Sequence, residues 1–244
     1  ATLLPAGAPA RAQSAPDPSK LGPLAVGHES FTLVDPSRRE VYGGVERDRT
    51  LTVDVWYPVA PESAVGPFAF YPFQVFTLGF ASAVAREGAP PVPNVARPLV
   101  VFSHGSGGIS VQSTNLCETL ASHGFVVAAP NHAGNTAADV FFSASFPFAT
   151  NARNRPLDVS ALIDRMIARS RTAGDRLYRI VNPFQIGVAG HSFGGFTALA
   201  VASGYSTVPA DPRVRAVMPI APAASILSDL ELARIQVPVL VLSG

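Results

Sequence analysis

The stretch that decides the fold is Gly190-His191-Ser192-Phe193-Gly194-Gly195, which follows an apolar run at 186–189 and precedes a run of mostly small residues at 196–202. This order predicts a strand, an abrupt turn and a helix, with the pattern G-x-S-x-G in the turn. A serine in such a turn has a strained, exposed backbone, and N–H groups at the helix start face an oxyanion formed beside it. Ser192 is therefore the candidate nucleophile. Because G-x-S-x-G also occurs by chance, the flanking segments carry much of this prediction.

The composition indicates one large domain with a well-buried core. The chain has 244 residues, of which 48% are hydrophobic and 14% are charged, and its formal net charge is +1. This balance excludes a disordered chain and suggests no electrostatic binding of nucleic acid. The single cysteine, Cys117, cannot form an internal disulfide, and no Cys/His cluster has the spacing of metal ligands. We therefore predict no metal, no cofactor and no nucleic-acid partner.

The order of apolar runs predicts an α/β fold. The predicted strands are 99–102, 125–129, 186–189, 214–220 and 237–244, and the predicted helices are 111–122, one that begins at Pro156, 193–204 and 227–234. Such alternation indicates a mostly parallel central sheet with helices on both faces. Residues 26–34 and 51–59 suit antiparallel strands at the N-terminal edge of this sheet, with turns at Asp35-Pro36-Ser37 and Gly43-Gly44.

The N-terminus is interpreted separately from the domain that follows it. Residues 1–24 are a signal-peptide remnant or a flexible arm rich in proline and alanine, because Ala10-Arg11-Ala12 has the small-x-small form of a signal-peptidase site. This interpretation predicts a secreted or periplasmic protein. Residues 25–244 are then a single domain with apolar insertions at 60–97 and 134–153.

Both insertions are rich in phenylalanine. Residues 63–85 contain no charged residue, and their prolines and glycines argue against a membrane span. They either pack on the body of the domain or form an apolar surface that meets lipid or an apolar substrate. Residues 134–153 are interpreted as a lid or as a wall of the acyl pocket.

A second glycine-rich turn follows the predicted strand 99–102. The sequence Ser103-His104-Gly105-Ser106-Gly107-Gly108 lets backbone N–H groups face the cleft at the carboxyl end of a parallel strand. A phosphate-binding loop is the alternative, but the pattern G-x-x-x-x-G-K-[ST] is absent and no lysine is near. The turn resembles the place in the α/β-hydrolases where the first oxyanion donor arises, and this resemblance implies an oxyanion hole formed by the N–H groups of Ser106 and Phe193. His104 is interpreted as a structural residue, and His132 as a loop histidine with a local hydrogen bond rather than a pocket residue.

Three segments together make the chain resemble the α/β-hydrolases. Residues 98–105, 120–129 and 190–195 are similar to segments of the platelet-activating factor acetylhydrolases and the dienelactone-hydrolase-related esterases. Bacterial cutinase-like polyester hydrolases share the same order of elements. The resemblance covers residues 25–244 and implies an α/β-hydrolase fold, a serine esterase activity and an aromatic insertion that contacts an interface. Its motifs are specific for the superfamily and not for a substrate.

The acid and the base of a catalytic triad are not where this resemblance implies them. Triads of this fold follow the chain order serine, acid, histidine, whereas all five histidines precede Ser192. In the acetylhydrolases the acid follows the strand after the nucleophile helix, where this chain has Pro219-Ile220-Ala221-Pro222. Asp229 and Glu231 fall on the next predicted helix. We therefore expect the acid and the histidine beyond Gly244, in a chain that is truncated at its C-terminus.

These features predict a serine hydrolase that cleaves carboxylic esters through an acyl-enzyme. The aromatic insertions favour short-acyl or apolar esters, so the expected partner is a small-molecule, lipid or polyester substrate. Peripheral contact with an apolar surface is expected, and a transmembrane segment is not. A serine rather than an aspartate at position 192 argues against dehalogenase and epoxide-hydrolase chemistry. Two alternatives stay open: a peptidase of the prolyl-oligopeptidase type, and a non-catalytic binding protein of the same fold.

Overall fold

Eight strands form one sheet among the residues that the computed structural model describes, which are 17, 20–73, 75 and 78–243. The strands are β1 (Ala25–Tyr42), β2 (Val45–Val59), β3 (Phe68–Pro72), β4 (Gly79–Glu87), β5 (Arg97–Ser103), β6 (Val126–Pro130), β7 (Val181–His191) and β8 (Val214–Ile220). The helices are α1 (Thr114–Ser122), α2 (Ala137–Phe141), α3 (Phe148–Arg171), α4 (Phe193–Ser203) and α5 (Asp229–Leu232). The strands lie in the order β3-β4-β1-β2-β6-β5-β7-β8. The predicted α/β fold is confirmed.

The parallel part of the sheet, β6-β5-β7-β8, carries helices on both faces. In β5, Leu99 and Val101 join the core that contains residues of α3 and α4. Val100 and Phe102 face a second core, which contains residues of α1. A strand covered on both sides has no polar face, which explains the unbroken apolar sequence at 99–102.

An antiparallel hairpin of β1 and β2 joins the parallel part through β6. Gly43 and Gly44 form its turn with φ of 58° and 80°, a conformation that suits glycine. The predicted turn at Asp35-Pro36-Ser37 is wrong, because these residues lie inside β1, where the register shifts between Asp35 and Arg39. Proline has no N–H to donate to the ladder, so the irregularity falls at this position and the strand continues past it.

The aromatic segment extends the sheet. β3 and β4 form an antiparallel hairpin, and β4 pairs parallel with β1, so the hairpin forms one edge of the sheet. Along β3, Ala69 and Tyr71 are buried while Phe68 and Phe70 are exposed, as the two-residue period of a strand requires. The segment is thus part of the sheet rather than an insertion packed on the body of the domain. Phe76, a further aromatic residue of this segment, lies outside the described residues.

A buried polar cluster ties this hairpin to β1 and β2. His28 Nδ1 lies 2.7 Å from a Glu87 carboxylate oxygen, and His28 Nε2 lies 3.0 Å from an Asp54 carboxylate oxygen. The hydroxyls of Ser30 and Ser110 donate to the same Asp54 carboxylate. Burial alone would lower the pKa of His28, but the bonds to the two carboxylates outweigh burial and raise this pKa to about 9. His28 is therefore an imidazolium at neutral pH, and it links three strands.

The helix α3 begins at Phe148, eight residues earlier than predicted, so Pro156 lies inside it and does not open it. The prediction relied on the preference of proline for the first helical turn. An interior proline removes one backbone hydrogen bond, and burial of the neighbouring Ala152 and Val159 provides tertiary packing that offsets the loss. The predicted insertion at 134–153 therefore ends in the first turns of α3.

The C-terminal segment and the region before α1 also differ from the prediction. Within the described residues, the segment predicted as a strand at 237–244 makes only isolated parallel bridges, Val239 to Val217 and Leu242 to Ile220. The helix predicted at 111–122 begins as a 3₁₀ turn, Ser110–Ser113, before α1.

In the described part of the chain, no helix combines the length and the apolar character needed to cross a membrane.

Candidate active site

Ser192 lies between β7 and α4 with a left-handed backbone, at φ 55° and ψ −113°. A non-glycine residue with this φ is strained and needs support from its surroundings. The Ser192 N–H donates to the Ile220 carbonyl at the end of β8, at 2.9 Å. The Ser192 carbonyl accepts from the N–H groups of Phe196 and Ala223, each at 3.1 Å. α4, β8 and the chain after β8 therefore hold the strained serine together.

Three glycines make this tight turn possible. A Cβ on Gly190 would lie 2.3 Å from the Gly194 carbonyl oxygen, and a Cβ on Gly194 would lie 1.9 Å from the Ser103 carbonyl oxygen. A Cβ on Gly195 would lie 2.9 Å from Pro222. These distances are shorter than van der Waals contact with backbone that other elements hold in place. Only glycine therefore fits at the junction of β7 and α4.

The glycine-rich loop after β5 packs directly against this turn. The Gly105 N–H donates to Gln112 Oε1 at 3.0 Å, and Gln112 Nε2 donates to His191 Nδ1 at 3.0 Å. Gln112 thus links the loop to the residue that precedes the candidate nucleophile. Within the described residues, the N–H groups of Ser106 and Phe193 have no protein acceptor. Their assignment to an oxyanion hole stays a prediction.

A second serine, Ser103, belongs to a hydrogen-bonded chain that the sequence analysis missed. Ser103 Oγ lies 3.0 Å from His132 Nε2, and His132 Nδ1 lies 2.9 Å from Asp158 Oδ2. Because a carboxylate only accepts, Nδ1 carries the ring proton and Nε2 accepts from the Ser103 hydroxyl. The order serine, histidine, aspartate is that of a catalytic triad. All three residues, however, are 0% exposed, so no substrate carbonyl reaches them.

The charges around this chain keep His132 neutral. Burial and, after it, the nearby positive charge of Arg155 together lower the pKa of His132 to about 4. Burial alone would raise the pKa of Asp158, but Arg49 donates to both carboxylate oxygens at 2.6 Å and holds this pKa well below its usual range. The interpretation of His132 as a loop histidine with a local bond is therefore wrong. Its partners come from β5 and α3, which the sequence alone does not bring together.

The other histidines also have partners of their own. His104 is fully buried, its Nδ1–H donates to the Gly105 carbonyl at 2.7 Å, and its Nε2 accepts from the His132 N–H at 3.1 Å. Burial lowers the pKa of His104 well below its usual value, so the ring is neutral and structural. His123 Nε2 bonds the Lys20 carbonyl at 3.0 Å. Among the described residues, no histidine ring hydrogen-bonds Ser192.

Aromatic rings form a stack from the surface to the core beside Ser192. The ring of Phe148 stacks on that of Phe193 with centroids 5.3 Å apart, and Phe193 stacks on Phe196 at the same distance. Phe196 meets Tyr205 edge to face at 5.0 Å. Phe148 is 59% exposed, whereas Phe193 and Phe196 are buried. The stack therefore presents one apolar face to solvent next to the candidate nucleophile.

A signal for the missed residues is present in the sequence of α3. Arg155 and Asp158 are three positions apart and recur in register with Leu162 and Met166 on the buried face of the helix. A charge on a core-facing stripe must be paired or hydrogen-bonded, because burying it alone is very unfavourable. The two charged residues on this stripe therefore indicate a buried polar network, although not its partners.

The chain is similar in sequence to known esterases. The family described as platelet-activating factor acetylhydrolase, isoform II, matches residues 47–161. A Schizosaccharomyces pombe protein assigned provisionally as a phospholipase A2 is 31% identical over 145 residues, which are 49% of this chain and 33% of that protein. Platelet-activating factor acetylhydrolase of Gallus gallus is 36% identical over 70 residues, which are 29% of this chain and 16% of that protein.

The structure is similar to that of ferulic acid esterase from Streptomyces cinnamoneus. The TM-score is 0.66 and the sequence identity is 31%, over 91% of this chain and 65% of the esterase chain. The matches thus cover a third or less of the two sequence relatives and less than two thirds of the structural one. The proteins found by sequence and by structure belong to the same class, the carboxylic ester hydrolases.

Proposed function

The chain is a relative of the α/β-hydrolase serine esterases, and from this relationship we propose that it hydrolyses carboxylic esters through an acyl-enzyme formed on Ser192. The observation that carries the proposal is the strained backbone of Ser192 at φ 55°, held by three elements at the start of a buried helix. Strain of this kind clusters at active sites. Ser143 and Ser206 also have a positive φ, but both are exposed.

The proposed reaction has two steps. Ser192 Oγ attacks the ester carbonyl carbon while its proton passes to a histidine base, and the carbonyl oxygen becomes an oxyanion. The N–H groups of Ser106 and Phe193 donate to this oxyanion, each worth about 3 kcal/mol. The bond to the alcohol then breaks and the alcohol takes the proton. Water attacks the acyl-serine by the same route, and the acid is released.

The base is a histidine that follows Ser192 and the triad acid, in the chain order of such triads. The contacts of the histidines within this chain support this expectation. His28, His104 and His132 are buried in other hydrogen-bond networks, and His123 is bonded to the backbone at Lys20. The experiments below therefore use the full-length protein.

A fluorophosphonate probe tests the nucleophile. We expect stoichiometric labelling at Ser192, and Ser192→Ala should abolish both the labelling and the hydrolysis of p-nitrophenyl acetate. Ser143→Ala, which removes an exposed serine of similar φ, is the matched control and should change neither. Labelling at another serine would contradict the assignment. A protein that does not label at all would favour the non-catalytic alternative, and turnover of prolyl amides rather than esters would favour the peptidase.

The aromatic stack supports a preference for apolar esters. Phe148 presents an exposed ring whose stacking partner, Phe193, directly follows Ser192 in the chain. A flat apolar group on the substrate would bury this ring, and aromatic contacts add about 1 kcal/mol beyond area burial. Phe148→Ala should lower kcat/KM for an aromatic ester such as a feruloyl ester about fivefold. Phe184→Ala, which removes an exposed phenylalanine near the start of β7, should leave it unchanged.

Two finer expectations stay proposals. The exposed Phe68 and Phe70 on the edge hairpin support peripheral contact with an apolar surface. Binding to neutral phospholipid vesicles, lost in the double variant Phe68→Ser and Phe70→Ser, tests this contact.

The secreted or periplasmic location rests on Ala10-Arg11-Ala12, which lies outside the described residues. The N-terminal sequence of the mature protein tests it.

A further inference from the structure

Arg155 on α3 bridges the loop that precedes Ser106. Its guanidinium Nη1 donates to the His104 carbonyl at 2.6 Å, and its Nη2 donates to the Gly105 carbonyl at 3.0 Å. Because the peptide unit is planar, the carbonyl of Gly105 and the N–H of Ser106 point in opposite directions within one rigid plane. Drawing the Gly105 carbonyl toward Arg155 therefore directs the Ser106 N–H away from α3. His104 Nδ1–H and the Gly108 N–H donate to the same carbonyl, at 2.7 and 3.1 Å, so Arg155 shares with them the fixing of one proposed oxyanion donor.

The same guanidinium contacts the residue that supplies the other donor. Arg155 Cζ lies 4.7 Å from the centroid of the Phe193 ring, and that ring is held by stacking between Phe148 and Phe196. A guanidinium over an aromatic face is attracted by the negative charge of the ring face. Arg155 thus contacts the loop that carries the Ser106 N–H and the side chain of Phe193.

Arg155 is held in place without a carboxylate partner. Asn135 Oδ1 accepts from Nε at 3.0 Å and from Nη2 at 2.7 Å, and Ser103 Oγ accepts from Nη1 at 3.3 Å. Within the described residues, no carboxylate forms an ion pair with Arg155 within 4.0 Å, although its side chain is 0% exposed and the charge of Asp158 on the same helix attracts it from further away. The donors of Arg155 are occupied by carbonyl, amide and hydroxyl oxygens, which fix the guanidinium against the loop.

The buried hydrogen-bonded residues Ser103, His132 and Asp158 also hold Arg155 in place. The Ser103 hydroxyl donates to His132 Nε2, so that its oxygen lone pairs face Arg155 Nη1, and His132 is in turn fixed by Asp158. The triad-like order therefore has a structural explanation. It orients a serine oxygen as an acceptor for Arg155, rather than as a nucleophile.

We propose that Arg155 is a positioning residue for ester hydrolysis, which fixes the loop that carries the Ser106 N–H and packs on Phe193, and so holds the two parts of the oxyanion hole in register. This inference rests on the proposed function at Ser192. Because Arg155 acts on groups that bind the transition state, its loss should lower kcat much more than it raises KM. Loss of one oxyanion donor lowers kcat by about a hundredfold or more, which sets the expected size of the effect.

Two variants of the full-length protein test the proposal. Arg155→Lys keeps the charge, but a single ammonium cannot replace a fork that reaches two carbonyls, so kcat should fall about a hundredfold with KM changed less than threefold. Arg155→Ala leaves a space that free guanidinium or ethylguanidinium can enter, and either should restore activity in a saturable manner. Ethylammonium at equal ionic strength should not. Arg171→Ala, at the exposed end of the same helix, should keep full activity and show no response to guanidinium.

The outcomes are separable from those of the nucleophile test. Ser192 labelling in the wild type establishes the proposed function independently of Arg155. If Ser192 labels and Arg155→Lys keeps its kcat, the positioning role is overturned. It is equally overturned if both variants lose activity only in proportion to a loss of folded protein by near-ultraviolet circular dichroism, or if guanidinium fails to restore a folded Arg155→Ala.

Discussion

Two serines in this protein have contrasting surroundings, and only one of them is suited to act as a nucleophile. Ser103 has the full hydrogen-bond order of a triad, with His132 and Asp158 fully buried behind it. Ser192 has no histidine partner among the described residues, but its backbone is strained, and a glycine-rich loop packs against its turn. A nucleophile needs access and an oxyanion hole in addition to a base. A Ser-His-Asp order alone therefore does not identify a nucleophile.

The environment of the two sites differs as much as their geometry. A general base must accept a proton near neutral pH. Beside Ser103, the low pKa of His132 makes its ring a poor proton acceptor at that pH. Around Ser192, the start of α4 contributes the positive end of a helix dipole and the Phe193 N–H, for which the described part of the chain holds no acceptor. The first site is suited to holding a structure, and the second to stabilising a developing negative charge.

The largest expected effect separates the two serines directly. Ser192→Ala should lower kcat for p-nitrophenyl acetate by about 10⁴ or more, the loss typical of a removed nucleophile. Ser103→Ala should lower it about tenfold, because Arg155 loses one of several acceptors. Both variants should keep the wild-type circular dichroism spectrum. A larger loss of kcat in Ser103→Ala than in Ser192→Ala would contradict the assignment of Ser192 as the nucleophile.

A second prediction concerns the junction that strains Ser192. Gly194→Ala should destabilise the protein by more than about 3 kcal/mol, since its Cβ would meet the backbone of Ser103 and the turn must open. Gly187→Ala on β7 is the matched control, because its Cβ would have no neighbour nearer than 3.7 Å. Urea unfolding curves give both values. Equal midpoints for the two variants would show that the junction is not tightly packed.

A third prediction tests whether His132 is held neutral. Its pKa is about 4 in the folded protein, below the ordinary value of 6.5, so the unfolded chain binds a proton first as the pH falls. Its contribution to stability is thus full above pH 6.5 and declines toward pH 4, by at most about 3 kcal/mol. His132→Asn should be less stable than the wild type at pH 7, and the gap should narrow on acidification. A gap between His132→Asn and the wild type that stays constant from pH 7 to pH 4 would contradict the neutral assignment.

Much of the fold was predictable from the sequence because it depends on local pattern. The apolar run at 99–102, the glycines at 43 and 44 and the serine turn at 192 each specify a backbone conformation through residues close in the chain. The predictions at Pro36 and Pro156 were wrong for the same reason. Proline disfavours an element locally, and packing of the surrounding strand or helix outweighed that preference.

The candidate site was predictable only where it is built from contiguous residues. The sequence by itself determined the strand–turn–helix around Ser192 and the glycine-rich loop at Ser106, because steric demands of a tight turn select glycine at fixed positions. Only the tertiary structure decided that Ser103, His132 and Asp158 meet, across separations of 29 and 26 residues, and that Arg155 lies under the loop. Burial of a polar group demands a partner without specifying which one. The partner is chosen by the packing of β5, β6 and α3, which no local pattern encodes.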